Sequence, residues 1–281
     1  MKFILLSKDE GKREITKPDD YLASLKPFER GLKIGKRNDV TMDTFTEHLS
    51  NCVLEWTIQE TEKINKALSK LAEILEKYPI TAPETVFLIK TNGKDEWNSA
   101  YTRENCIYMP EKKLRDYTDR KLLSLLAHEF FHCFSRLNPE TRERLYALLE
   151  FYPYKEVIPQ KELTATLVNP DAMTPVYTLI ESKGRIIKVC PFIFVKKEGI
   201  DDSMDIFDNI RIDFYWPEEK ADASEIMAKY TEKLCINTTD YQHPEETLAE
   251  NFAHLITENK TIQNKDLINN IETIILEAEN A

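Results

Sequence analysis

The stretch Ser124–Phe134, SLLAHEFFHCF, decides how the rest of this sequence is interpreted. Most of its residues are apolar, and their helical spacing predicts a helix that is buried in the core. Three titratable side chains, His128, Glu129 and His132, lie in the middle of the apolar run. Burying such groups without hydrogen-bond partners costs about several kcal/mol, so the stretch predicts that something in the folded protein pairs with them.

The spacing of the two histidines predicts a metal site. Residues four apart in a helix lie on one face, about 6 Å apart along the axis, so both imidazoles can reach one ion. Glu129 lies beside them, where a carboxylate can accept a proton from water. The alternative is a helix with two ordinary core histidines. The pattern HExxH at His128–His132 is typical of zinc metallopeptidases and favours the metal.

A catalytic zinc site needs a third protein ligand and one open position for water. Glu150 and Glu162 are candidates for this ligand, since both follow the two histidines. The favoured candidate is Glu246 in HPEETLAENFAHL, which predicts a helix with apolar residues on its inner face. Glu245 competes with Glu246 for the same role. Glutamates in the first turn of a helix are also typical of a solvated helix start, because they suit the helix dipole.

HExxH followed by a second helix with glutamates four apart resembles the gluzincins, the thermolysin-like zinc peptidases. The resemblance implies that His128, His132 and Glu246 bind Zn²⁺ and that Glu129 is the general base. It also implies that Glu250 orients a ligand histidine, although aspartate is more usual at that position. The resemblance covers the HExxH helix, the strand before it and the helix of Glu246.

Two other classes of zinc enzyme fit the sequence less well. The metzincin pattern places Gly at 135 and His at 138, whereas this chain has Ser135 and Asn138, which excludes that class. Peptide deformylase uses an upstream cysteine ligand, and Cys106 precedes the motif, but the glycine-rich segments of that family are absent. Cys106 and Cys133 are therefore expected to be small buried core residues.

The predicted helices and strands are partly segregated along the chain, which indicates an α+β fold rather than a doubly wound parallel sheet. The resemblance implies that this fold contains a zincin-like catalytic core. Such a core has a small mixed sheet with an edge strand, the active-site helix and a C-terminal helical lobe, and here we expect a β-rich insert as well. We expect a single domain over 1–281. Its predicted regions are a mainly helical part at 1–80, the strand and HExxH-helix core at 81–153, the insert at 154–220 and the lobe with the third metal ligand at 221–281.

Periodicity and turn residues predict the individual elements. A long helix is expected over 42–78, with a capping box at Thr44 and Glu47. The other predictions are strands at 85–91 and 105–109, a helix over 111–137 that can break near 116–119, a helix from Asn138-Pro139 to just before Pro153, three strands within 170–217 with a hairpin turn at Ser182-Lys183-Gly184, and helices over 224–234, 243–256 and 265–277.

Substrate contacts are predicted from the same resemblance. In zincins the edge strand ahead of the active helix binds an extended peptide by strand addition, which places this role at Asn105 and Ile107. A further donor usually stabilises the oxyanion that develops in peptide hydrolysis. The candidates for that donor are Tyr241 and His243, just before the ligand helix, and Tyr177 and Tyr215 in the β-rich segment.

Composition narrows the partners and the compartment. The formal net charge is −11, from 38 Lys and Arg against 49 Asp and Glu, which argues against non-specific binding to nucleic acid or anionic membranes. No stretch has the length of a membrane span, and the apolar run Phe3–Leu6 is too short for a signal-peptide core. Five scattered cysteines without a CxxC pair fit a reducing compartment. We expect a cytoplasmic enzyme that acts on a peptide or protein substrate.

Two other functions stay open at this point. One is a zincin-fold protein whose metal is structural or that acts as a non-proteolytic binding module, and the other is an α+β interaction protein with a chance motif. Glu129 favours the peptidase over the first of these, because a binding site alone has no need of a base. His48 and His254 lack metal spacing with a convincing partner, although Glu250 and His254 are placed to form a surface pair.

Overall fold

The computed structural model describes residues 1–163, 165–195, 210–217 and 221–277, and within them the protein is α+β, as predicted. The α-helices are α1 (Lys8–Ile15), α2 (Asp20–Ser24), α3 (Pro27–Lys33), α4 (Met42–Cys52), α5 (Ile58–Leu75), α6 (Glu111–Asp116), α7 (Asp119–Leu137), α8 (Pro139–Ala147), α9 (Ala223–Leu234), α10 (Pro244–Ile256) and α11 (Lys265–Glu277). The strands are β1 (Lys2–Leu5), β2 (Thr85–Thr91), β3 (Tyr101–Arg103), β4 (Cys106–Pro110), β5 (Phe151–Pro153), β6 (Thr166–Leu167), β7 (Val176–Ser182), β8 (Arg185–Val195) and β9 (Ile210–Tyr215).

The first sheet is mixed and has the strand order β1-β2-β4-β3. β1 and β4 run parallel to β2, and β3 runs antiparallel to β4. β1 is not predicted from the sequence, because four residues are too few to show a clear alternating pattern. The region 1–80, predicted to be mainly helical, therefore contributes a strand to this sheet as well as helices.

The edge strands of this sheet are β1 and β3, which corrects the prediction that an edge lies at 105–109. β4 is paired on both sides, and Ile107 lies opposite one residue of β2 and one residue of β3. Asn105 is in the turn before β4, where its side chain donates to the Thr85 carbonyl at 2.7 Å. The predicted strand addition at Asn105 and Ile107 is wrong, because an inner strand has no open side for a peptide.

The second sheet is antiparallel and has the order β5-β7-β8-β6, with β9 paired to β8. It confirms the strands predicted within 170–217, while 196–209 and 218–220 of the predicted insert lie outside the described residues. Ser182 pairs with Arg185, and Lys183 and Gly184 between them have φ angles of 52° and 76°. Positive φ at both central residues is what a two-residue hairpin turn of type I′ requires, so the predicted hairpin is confirmed.

The long helix predicted over 42–78 is wrong, because α4 and α5 divide that range. Between the two helices, Val53 forms an isolated antiparallel bridge with Thr91 at the end of β2. The Leu54 amide also donates to the Lys90 carbonyl at 2.9 Å. These contacts to β2 hold residues 53–57 in an extended conformation, and the hydrophobic period alone does not reveal such a tertiary contact.

The predicted capping box of Thr44 and Glu47 is also wrong. Thr41 is the N-cap of α4, and its hydroxyl accepts from the Thr44 amide. A complete capping box is present at the start of α5 instead, where Thr57 and Glu60 each bond to the backbone of the other. Because an N-cap satisfies helix amides that have no intrahelical partner, this box gives α5 a separate start.

The helix that carries HExxH, α7, lies at the centre of the fold. The predicted break near 116–119 is confirmed, because α6 ends at Asp116 and Thr118 caps α7. α7 packs against α5, α10 and β3. Its buried residues are Leu122, Leu126, Ala127, Glu129, Phe130, Phe131, His132, Cys133, Phe134 and Ser135. A helix packed on several sides holds its side chains in fixed directions, which a metal site needs.

The helices after α7 agree with the predictions except at the end of α8. Asn138 is in the N-cap position, but its side chain donates to the carbonyls of Thr81 and Phe134 instead of capping. α8 ends at Ala147 rather than just before Pro153, because the chain turns at Glu150, where φ is 60°, and enters β5. α9, α10 and α11 match their predicted ranges to within about one residue.

Candidate metal centre

The site is built on α7 and α10, which pack against each other. His128 and His132 are one turn apart on α7, and their ring centres lie 4.8 Å from each other. Glu246 lies in the first turn of α10. The rings of Phe131 and Phe252, with centres 5.5 Å apart, join the two helices. Apolar packing therefore fixes the distance between the histidines and the glutamate.

Glu246 meets both histidines with one oxygen. Its Oε2 lies 3.3 Å from His128 Nε2 and 3.7 Å from His132 Nε2. One nitrogen from each imidazole and one Glu246 oxygen all lie within 4.8 Å of one another. Two imidazole nitrogens and a carboxylate oxygen are a ligand set that Zn²⁺ accepts. The fold thus brings together the three side chains that the sequence proposes as metal ligands.

Two buried atoms of the cluster, His132 Nε2 and Glu129 Oε2, have no hydrogen-bond partner among the described residues. His132 is 1% exposed and Glu129 is 2% exposed. Unpartnered buried polar atoms are rare in folded proteins, and each costs about 1–3 kcal/mol. A divalent cation at His132 Nε2 would satisfy that atom, so the residues that are present fit a metal ion.

A carboxylate lies behind each histidine. Glu245, which the sequence leaves as a rival metal ligand, has Oε1 at 3.2 Å from His132 Nδ1. Its other oxygen accepts from Ser135 at 2.9 Å and from Tyr146 at 2.6 Å. Such a bond fixes the ring and its tautomer and leaves Nε2 for a metal. Glu245 is therefore suited to orienting His132 rather than to binding the ion.

Glu250 lies behind His128, as the sequence proposes. Its Oε2 is 3.5 Å from His128 Nδ1, and its Oε1 is 3.6 Å from His254 Nε2. The Glu250 side chain is 36% exposed, whereas Glu245 on the other histidine is buried. Because the contact of Glu250 is longer and more exposed to solvent, we expect Glu250 to orient His128 less firmly than Glu245 orients His132.

Burial and neighbouring charges set the protonation of the cluster. Burial raises the pKa of Glu129 to about 8, and the nearby Asp171 carboxylate acts in the same direction. Burial lowers the pKa of His132, but Asp171 and Glu246 outweigh it and raise that pKa to about 9. Burial raises the pKa of Glu246, but His132 and His128 outweigh it and lower that pKa to about 2. Without an ion, protonated imidazoles supply the positive charge that the carboxylates attract.

The segment between β6 and β7 contributes two side chains that sequence reasoning missed. Asn169 Nδ2 donates to Glu246 Oε1 at 2.6 Å, which holds the oxygen that does not meet the histidines. Asp171 has an oxygen within 4.8 Å of ligand atoms of Glu129 and His132. The only local signal is the turn-forming run Asn-Pro-Asp, which predicts a loop but not where the loop lies.

His243 is a helix cap, which corrects its predicted role as an oxyanion donor. Its Nδ1 accepts from the Glu245 amide at 3.1 Å, so its Nε2 carries the proton and donates to the Thr174 carbonyl at 3.1 Å. Burial lowers the pKa of His243 to about 4, which keeps the ring neutral at pH 7. Tyr241, the other candidate there, is 38% exposed and does not line the cavity beside the metal ligands.

The two tyrosines of the β-rich segment also lie away from the metal ligands. The rings of Tyr177 and Tyr215 each pack against Tyr154, with ring centres 6.3 Å apart in both cases. Neither side chain lines the cavity beside the metal ligands, whereas Gln242 does. Gln242, rather than either tyrosine, is therefore a candidate donor to the oxyanion among the described residues that line this cavity.

The other candidate ligands do not join the cluster. Glu150 forms an ion pair with Lys233, and Glu162 is exposed in a short 3₁₀ turn. Cys106 and Cys133 are buried, as predicted, and burial raises the pKa of each thiol to about 12. A thiol binds metal as the thiolate, so these raised pKa values argue against a cysteine ligand.

The two remaining histidines also lie outside the cluster. His48 Nε2 lies 3.0 Å from the Lys94 carbonyl. His254 Nε2 lies 3.2 Å from the Asn237 carbonyl and faces Glu250 one turn earlier, the pair that the spacing indicates. Each of these histidines bonds to nearby backbone, so neither offers a second metal site.

A cavity of about 260 Å³ opens beside the metal ligands. His128, Glu129 and Glu246 line it, together with apolar side chains that include Trp97 and Leu125. Sites for drug-sized ligands range from about 300 to 1,000 Å³, so this cavity suits a smaller group. It gives a ligand direct access to Glu129 and to two of the three candidate metal ligands, His128 and Glu246.

Comparison of this chain with protein-family models, with curated proteins and with solved structures found no match. In the ranges that the structure describes, every helix is too short or too polar to cross a bilayer. Because no relative with a known activity was found, function is inferred from the side chains around His128, His132 and Glu246 and from the chemistry that they can perform.

Proposed function

We propose that this protein is a zinc-dependent peptidase of the gluzincin type. In this proposal the first sheet, α7 and the C-terminal helices form a zincin-like core. The observation that carries the proposal is the meeting of His128, His132 and Glu246 around one point, beside the buried and unpartnered Glu129 Oε2. The substrate is a peptide or protein, and no nucleic acid or membrane takes part.

Each residue of the site has a role in peptide hydrolysis. Bound Zn²⁺ supplies Lewis acidity, which polarises the substrate carbonyl and makes water a stronger acid. Glu129 accepts a proton from the attacking water and delivers it to the leaving amine, and its raised pKa near neutrality suits both transfers. Glu245 and Asn169 hold a ligand histidine and the ligand glutamate in place.

The number of ligands supports catalysis over a structural ion. A structural zinc site is usually closed by four protein ligands, whereas a catalytic site uses three and keeps one position open. Three ligand side chains gather here among the described residues, and a cavity lies beside them. Glu129 also has no structural partner for its Oε2, which is expected of a base that acts on water.

Metal analysis of the purified protein tests the first half of the proposal. We expect about one zinc per chain in the wild type and none in a His128→Ala, His132→Ala double variant. His48→Ala is the matched control, because His48 bonds to a backbone carbonyl outside the site. A wild-type protein that takes up no zinc would overturn the proposal.

Glu129→Gln tests the chemistry. The variant should keep its zinc, while its hydrolysis of an unbiased peptide library should fall by about 10²–10⁴-fold, the usual contribution of a general base. Glu143→Gln on the exposed face of α8 is the matched control. Equal hydrolysis by Glu129→Gln and the wild type would contradict the mechanism, even if zinc is bound.

A further inference from the structure

The outer side of the edge strand β3 is already occupied by the chain itself. The Thr102 amide donates to Asp171 Oδ1 at 2.7 Å, and the Thr102 hydroxyl donates to the same oxygen at 2.6 Å. Arg136 of α7 donates to the Glu104 carbonyl at 2.7 Å, just beyond the end of β3. An extended peptide needs these outward groups for strand addition, so β3 is closed to it.

A ligand therefore reaches the metal site through the cavity of about 260 Å³, whose lining is acidic. Lys113 is the one lysine or arginine among its described lining residues, and its ammonium donates to Tyr117 at 3.1 Å. The carboxylates in the lining are Glu96, Glu129, Asp171, Asp240 and Glu246. An acidic, partly buried cavity attracts a cationic group and repels a carboxylate.

Two of these carboxylates, Asp171 and Asp240, belong neither to a buried ion pair nor to the proposed metal site. Glu96 is paired with the buried Lys33, and Glu129 and Glu246 belong to the proposed metal site. Asp171 accepts from Thr102, and Asp240 Oδ1 accepts from the Gln242 amide at 3.0 Å. Arg136 and His132 lie near Asp171, and His128 lies near Asp240. Among the described residues, however, no lysine or arginine is within ion-pair distance of either carboxylate, so both can attract a cation on a ligand.

We propose that the cavity receives the amino-terminal end of a short peptide, with Asp171 and Asp240 facing the ammonium group. This inference rests on the proposed peptidase function and makes the enzyme one that works from the amino end of its substrates. Hydrolysis adds one water across a peptide bond near that end. The hydroxyl joins the carbonyl carbon, the proton goes to the leaving nitrogen, and the products are a small amino-terminal fragment and the shortened peptide.

The size and the closed edge of the site support the same substrate class. A cavity of this volume holds about one or two residues, and the contact between Thr102 and Asp171 blocks the path that a longer chain would follow along β3. Asp171 thus has two effects on specificity. It closes the edge through Oδ1, and it adds negative charge to the cavity.

Asp171→Asn separates the two effects, because an asparagine oxygen can still accept from Thr102 while the charge is lost. Calorimetric titration uses zinc-loaded protein with Glu129→Gln, which binds substrate without cleaving it. The ligands are Leu-Ala-Ala, its N-acetyl form and its C-terminal amide. The additional substitutions are Asp171→Asn and, as the matched control, Asp43→Asn on the exposed face of α4.

We expect the free tripeptide to bind about tenfold or more tightly than its N-acetyl form, since only the free ammonium can make charge-assisted hydrogen bonds to the aspartates. Amidation of the carboxyl end should change the affinity little. Asp171→Asn should reduce the preference for the free amine, and Asp43→Asn should not. Equal binding of free and acetylated peptide, no binding of either, or an Asp171→Asn preference like that of Asp43→Asn would overturn the inference.

Cleavage by the zinc-loaded wild type distinguishes this inference from the proposed function. Rapid cleavage of long acetylated peptides at internal bonds would uphold the peptidase and overturn the preference for an amino end. Preferential binding of the free amine without cleavage of any peptide would support the cavity's specificity and overturn the peptidase. Removal of residues from free but not acetylated peptides would support both.

Discussion

Two buried polar clusters in this protein neutralise their charges in different ways. In the first, the Lys33 ammonium pairs with Glu96, whose other oxygen accepts from Tyr21 at 2.9 Å. The same ammonium lies 4.6 Å from the centre of the Trp97 ring. Protein side chains alone complete this cluster, as buried ion pairs require.

The second cluster, at α7 and α10, is not completed by protein side chains. Glu129, Glu245 and Glu246 surround His128 and His132, and among the described residues no lysine or arginine pairs with these glutamates. Two of its buried atoms lack partners. The comparison teaches that burial alone does not reveal a function. An unpartnered atom does not reveal one either, since Oε2 of the buried Glu29, near Lys33, also lacks a partner among the described residues. Two imidazoles and a carboxylate that meet at one point indicate more, because together they form a ligand set that a divalent cation accepts.

The largest effect should come from breaking the complete cluster. Lys33→Met leaves Glu96 buried without its cation and should lower the free energy of unfolding by about 3–5 kcal/mol, with or without zinc. Urea unfolding measures this, with Lys66→Met on the exposed face of α5 as the control. If the free energy of unfolding fell no further in Lys33→Met than in Lys66→Met, the Lys33–Glu96 pair would not be the completed buried ion pair that distinguishes the first cluster from the second.

Zinc should stabilise the wild type through the second cluster. At a zinc concentration about one hundred times Kd, the free energy of unfolding should rise by about 2.7 kcal/mol, because the ion binds the folded state. His132→Ala should lose this gain, and Lys33→Met should keep it. Thermal unfolding with and without zinc provides the measurement, and an equal gain in His132→Ala would argue against the site.

Glu245 and Glu250, which contact the Nδ1 atoms of the two histidines, should contribute unequally to zinc affinity. Glu245→Gln should weaken zinc binding by about 10–100-fold, since partners that orient a metal ligand contribute that much. Glu250→Gln should weaken it less, because its contact with His128 is 3.5 Å long and more exposed. Competition with a chromophoric chelator gives both values, and the reverse order would show that the two histidines are held differently.

Zinc binding to the second cluster should also depend on pH. In the metal-free protein the pKa of His132 is raised to about 9. Burial lowers the pKa of His128, but Glu246 and Glu250 outweigh it and raise that pKa well above its usual value, so near pH 7 zinc must displace a proton from each ring. Affinity should therefore fall by at least about tenfold for each pH unit lost between 9 and 7. A titration that is flat over this window would show that His132 is not a ligand.

The meeting of the three candidate metal ligands could be predicted from the sequence because both of their helices carry local signals. His128 and His132 are one turn apart, and His243-Pro244 marks the start of the helix that holds Glu246. Local spacing fixes side chains on one element, and apolar faces predict that two helices pack. The sequence could link His132 to Glu246, more than a hundred residues later, because only one downstream predicted helix has both glutamates four apart and an apolar face.

The substrate side could not be predicted in the same way. β3 has only three residues, and its contact with Asp171 joins parts of the chain 69 residues apart. Short strands and loops have little periodicity, and where a loop lies depends on tertiary contacts. The same reason explains the error over 42–78, where a bridge from Val53 to β2 interrupts an otherwise helical pattern.

The order of the ligands along the chain has a consequence for biosynthesis. A ribosome makes His128 and His132 first, Asn169 and Asp171 next, and Glu246 last. Domains fold as units while synthesis proceeds from the amino end, so an unfinished chain has only two of the three metal ligands. In the proposed peptidase, hydrolytic activity would therefore begin only after α10 has been made and has docked on α7, and the nascent chain and its neighbours would be protected from premature cleavage.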